Sequence, residues 1–101
     1  MTERQAIVTH HWRERVAERL GRDVDAEALA GAVLWEIDHE TGNVEYIGRV
    51  NRGGKRAYRF DFGEGRRGAA ILLFTETTAT FITLFEPGYR VARQGKESKR
   101  V

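Results

Sequence analysis

His11, Arg15 and Arg19 are spaced four residues apart, each three residues after Val8, Trp12 and Val16. Read as a helix, Val8, Trp12, Val16 and Leu20 make one apolar row. The imidazole and the two guanidinium groups run beside that row, at the border of the buried stripe. Side chains of these types can hold a phosphate and move a proton. Histidine titrates near neutrality, and arginine forks onto phosphate oxygens. A histidine on a helix edge is also an ordinary structural hydrogen-bonder, so the elements around it have to carry the argument further.

The chain has 101 residues, enough for one core and one domain. It contains no cysteine, which excludes disulfides and thiolate metal sites. Its longest apolar run, Ala69 to Phe74, is too short for a bilayer, and the charged N-terminus lacks a hydrophobic signal segment, so a soluble, cytoplasmic protein is expected. Net charge is only +2, but it is unevenly spread. Residues 49–68 hold seven cationic side chains against two acidic ones, and residues 89–101 hold five against one. Residues 24–46 hold six acidic side chains and no Lys or Arg. Segregation of this kind steers a polyanion to one face, and it is equally the pattern of a solvated surface.

Along the chain, residues 1–7 read as a lead-in. Thr9 is positioned to cap the first helix and Gly21 to end it. Asp23 or Asp25 caps a second helix, whose stripe is Ala26, Leu29, Ala30, Val33, Leu34 and Ile37; His39 to Asn43 stop it. Trp12 and Trp35 fall in the apolar stripes and are expected in the core. From Val44 the period becomes two, with strands predicted at 44–50, 57–62, 69–75 and 78–86, and turns at 51–54 and 63–68. The strand at 69–75 is apolar on both faces and should be central. The expectation is an α+β domain over residues 1–88, two N-terminal helices packed on one face of a four-stranded antiparallel sheet. A basic flexible tail, 89–101, follows.

The pattern Thr9-x-His11-Trp12-x-x-Arg15-x-x-x-Arg19, then a glycine turn, a short acidic helix and strands ending in Phe81-Ile82-Thr83-Leu84-Phe85, resembles the small ribonuclease-toxin group that includes the RelE-like toxins. That group lies within the broader barnase–EndoU–colicin–RelE class, and the similarity spans residues 7–86. The resemblance implies a metal-independent, cofactor-free endoribonuclease. His11 and Arg15 on the helix, Arg59 on a strand and Thr83 on the last strand would gather around the scissile phosphate. It leaves open whether His10 replaces His11, and whether Arg49, Lys55 or Arg56 replaces Arg59. Such chemistry needs a base for the ribose 2′-OH, cations for the phosphorane and an acid for the leaving 5′-oxygen. Arg19, Arg49, Lys55, Arg56, Arg66, Arg67 and Arg90 are expected to contact RNA, free or ribosome-associated. A toxin of this type also implies an acidic antitoxin or immunity protein covering the basic face. The competing reading is a non-enzymatic phage or host accessory protein that binds RNA or a protein partner with the same surface. A third is an assembly component that pairs through an exposed sheet edge.

Other motifs add little. Gly63-Glu64-Gly65-Arg66-Arg67-Gly68 fits G-x-G-x-x-G but lies between strands, without the helix that would turn it into a pyrophosphate site. Asp38, His39 and Glu40 are metal-ligand types at a spacing that rarely converges, so no metal site is expected. Tyr46, Tyr58 and Tyr89, set among arginines, could stack on unpaired bases or simply pack the sheet.

Overall fold

The structure, a computed structural model, describes residues 4–50 and 53–91. Its elements are β1 (Gln5–Val8), α1 (His10–Leu20), α2 (Ala26–His39), β2 (Val44–Arg49), β3 (Arg56–Asp61), β4 (Arg67–Phe74) and β5 (Thr78–Phe85). They form a five-stranded sheet in the order β1-β5-β4-β3-β2, with β4 at its centre. The expected four-stranded antiparallel sheet is therefore corrected. A fifth strand, β1, pairs in parallel with β5, Gln5 opposite Thr78 and Val8 opposite Phe81. The lead-in is a strand, and Val8 belongs to it rather than to the helical row. Four residues are too few for a period of two to stand out. A parallel partner is also invisible locally, because the crossover here is most of the chain.

Local chemistry explains both helices. Thr9 is extended at φ −90°, ψ 166°, and its Oγ1 accepts from the Trp12 N–H. The same hydroxyl donates toward the Phe81 and Ile82 carbonyls at 3.0 and 2.9 Å, so the cap of α1 is also a rivet onto β5. Gly21, at φ 117°, ends α1. Asp25 caps α2 by accepting from the Glu27 and Ala28 N–H groups. Arg13 and Glu27 pair across the two helices. Trp12 is fully buried, edge-on to Phe81 at 4.9 Å, and its indole N–H donates to the Ala26 carbonyl at 3.0 Å. Truncating such a ring typically costs about 3–5 kcal/mol.

The core lies between the helices and one sheet face, where Trp12, Val16, Leu29, Val33 and Leu34 meet Phe60, Leu72, Phe81 and Leu84. Trp35 is not part of it. It is 52% exposed and stacks on His39, with centroids 4.0 Å apart, beside the stripe of Leu34 and Ile37 that reaches the core. On the other face Ala57, Ala69 and Ile71 are buried as well. The chain after β5 returns over this face. Tyr89 stacks on Phe85 at 4.5 Å, and Val91 packs against Gly48, whose φ of +148° favours glycine. Residues 92–101 of the predicted tail lie outside the described residues, as do Asn51 and Arg52 of the predicted 51–54 turn.

Candidate functional site

The first turns of α1 bring three titratable groups together. His10 Nε2 lies 3.1 Å from Glu14 Oε2, and His11 Nδ1 lies 3.9 Å from Glu14 Oε1. One carboxylate thus faces both imidazoles. The His10 side chain is 85% exposed and that of His11 50%, which makes His11 the one nearer the protein surface. One turn on, Arg15 donates from Nη1 to Glu18 at 2.7 Å, while its Nε is buried without a partner. Glu14 and Glu18 were missed when the sequence was read. Their i+3 and i+4 spacing from the histidines and Arg15 was the signal that could have found them.

Thr83 sits on β5 opposite Ile71, where register turns its side chain to the sheet face away from the helices. It is 8% exposed, and its Oγ1 also lacks a partner. Among the described residues, Arg15 Nε and Thr83 Oγ1 are the two buried side-chain polar atoms left unpaired. They lie on opposite sides of the sheet, Arg15 on α1 and Thr83 on the face away from the helices. Nearly all buried polar atoms in folded proteins find partners, so an unpaired pair calls for a reason. Both atoms are hydrogen donors sealed from solvent.

Arg59 is placed elsewhere. It lies on β3, separated from β5 by β4, and all three of its nitrogens are bonded. Nε donates to the Pro87 carbonyl at 2.9 Å, Nη2 to the Tyr89 carbonyl at 3.0 Å and Nη1 to Glu45 at 3.2 Å. It clamps the returning chain to the sheet. The strand alternatives differ again. Arg49 faces Arg56 across β2 and β3 on the helix-facing side, and Lys55 is half-buried beside them. Arg67 pairs in register with Asp61, while Arg66 is exposed in the β3–β4 loop, next to a cleft of about 350 Å³ with Asp23, Leu29 and Phe62. Arg19 is exposed in the last turn of α1, and Arg90 is exposed after Tyr89. The structure therefore sets His11 and Arg15 side by side and leaves the other predicted cations distributed around the molecule.

Comparison with known protein families, curated proteins and solved structures finds no match. Among the described residues, no helix is long and apolar enough to cross a membrane.

Proposed function

We propose that this chain is a small metal-independent ribonuclease of toxin type, acting in the cytoplasm at the α1–β5 junction. The observation that supports the reading lies on α1: His11 and Arg15 sit one turn apart along one helix edge, with the Glu14 carboxylate beside the imidazoles. In this scheme His11 removes the proton from a ribose 2′-OH. The 2′-oxygen bonds to phosphorus, the P–O5′ bond breaks, and a water molecule protonates the departing 5′-oxygen. The products are a 2′,3′-cyclic phosphate and a 5′-hydroxyl. Arg15 donates to the phosphoryl oxygens as charge builds on them, the stage at which fixed donors count most. Thr83, on the sheet face away from α1, takes no part in this step. Glu14 orients the imidazole. An acidic partner protein covering the basic groups would hold such an enzyme inactive.

The test is incubation of the purified protein with total RNA in EDTA. Cleavage to cyclic-phosphate ends is expected, His11→Ala should abolish it, and Arg15→Ala should slow it by about 10²–10³-fold. Intact RNA, or degradation that His11→Ala leaves unchanged, overturns the reading. The engagement of Arg59 by Pro87, Tyr89 and Glu45 favours a second reading, RNA binding without cleavage. Salt-sensitive binding with intact RNA would select it.

A further inference from the structure

On the helix-facing side of the β2–β3 hairpin the cross-strand pairs change character outward. Val44 faces Phe60, Tyr46 faces Tyr58, and Arg49 faces Arg56. Like charges set directly opposite destabilise a strand pair. Among the described residues neither guanidinium is in an ion pair with a carboxylate. Seating an anion between them reverses the sign of that interaction. Arg56 also lies over the Phe74 ring at 5.9 Å, beside Arg4 at 4.7 Å.

Next to this pair, between the last turn of α2 and the hairpin, is a cleft of about 600 Å³ lined by Arg4, Glu36, Tyr46, Arg56 and Tyr58. Tyr46 is 52% exposed and leans on Tyr58 with centroids 5.3 Å apart, so its ring is braced from one side and open to solvent. The opposite wall carries Glu36, whose carboxylate is fixed by the Thr41 hydroxyl and, at 3.0 Å, by the Asn43 amide. We infer that this cleft is a subsite for one nucleotide of single-stranded RNA, with the base stacked on Tyr46 and the phosphate between Arg49 and Arg56.

The charges fix the pose. Glu36, Asp38 and Glu40 line the cleft. Asp38 is paired with Arg4, and Glu36 Oε1 takes the Thr41 and Asn43 bonds. A phosphate is repelled there, while Glu36 Oε2 and Glu40 remain to accept from the N–H groups of a base. The phosphate therefore belongs at the arginine rim. Aromatic stacking supplies sequence-tolerant affinity, and the arginines supply its salt dependence. The inference shares the ligand class of the proposed function and does not depend on cleavage.

The probe is a fluorescein-labelled single-stranded RNA 12-mer with 2′-O-methyl riboses, which lacks the attacking hydroxyl and stays intact whatever α1 does. Titrated by anisotropy with the full chain, it should bind about tenfold more weakly to Tyr46→Ala and normally to Tyr46→Phe. Arg49→Ala and Arg56→Ala should each lower the salt slope by about 0.7. An affinity that Tyr46→Ala leaves within twofold, or no binding at all, overturns the subsite. So does equal competition by a glutamate 12-mer, which would assign the arginine pair to an acidic protein. Cleavage of natural RNA with and without His11→Ala decides the nuclease proposal separately.

Discussion

Leaving a buried donor without a partner costs about 1–3 kcal/mol, and this protein does so at both Arg15 and Thr83. Replacing the Thr83 hydroxyl with a group of the same shape removes its unpaired donor without opening a cavity. Thr83→Val should leave the melting temperature unchanged or higher and, because Thr83 faces away from α1, leave RNA cleavage within a few-fold of wild type. A lower melting temperature would mean that the hydroxyl has a partner in the folded protein. In stability Arg59 should behave in the opposite way. Arg59→Ala is expected to cost about 1–2 kcal/mol in chemical denaturation and to leave cleavage within a few-fold of wild type. The His11–Arg15 pairing was legible in the sequence because both share one helical period. The role of Arg59 was not, since two of its acceptors are backbone carbonyls 28 and 30 residues away, and backbone groups carry no residue signature.

Helix caps were the most readable elements, because Thr9, Gly21 and Asp25 each solve a local hydrogen-bonding or backbone problem within four residues. Tertiary environment was less readable. Trp35 continues the apolar composition of α2 but is half exposed against His39, so its type suggested burial that its position denies. At the end of α2, the Thr41 hydroxyl and then the Asn43 amide hold the Glu36 carboxyl below the usual carboxylate range, helped by His39. A carboxyl whose folded pKa is depressed stabilises the fold above its unfolded value, and that contribution is lost as pH falls through the folded value. Thermal melts of Glu36→Gln and wild type should therefore converge at acid pH and diverge above the ordinary carboxylate range, with wild type the more stable. Parallel pH profiles would contradict this.

At the scale of the whole molecule, composition and period were enough for an α+β domain with helices on one sheet face and a central strand at β4. They were not enough for the fifth strand, β1, which among the described residues pairs with β5 alone. The two tryptophans give a check on the packing: Trp12 is sealed in the core and Trp35 is half open. Acrylamide should quench one of two fluorescence populations in the folded protein and both after unfolding. A single, uniformly accessible population would mean that the helices do not cover the sheet as described. The contact between Thr9 and Phe81 joins residues 72 positions apart. On a translating ribosome, Gln5 to Val8 emerge long before β5 exists, and at about 5–20 residues per second they wait on the order of 4–15 s for it. Until then the nascent chain cannot close its sheet, so the activity of the domain begins only once β5 has been made.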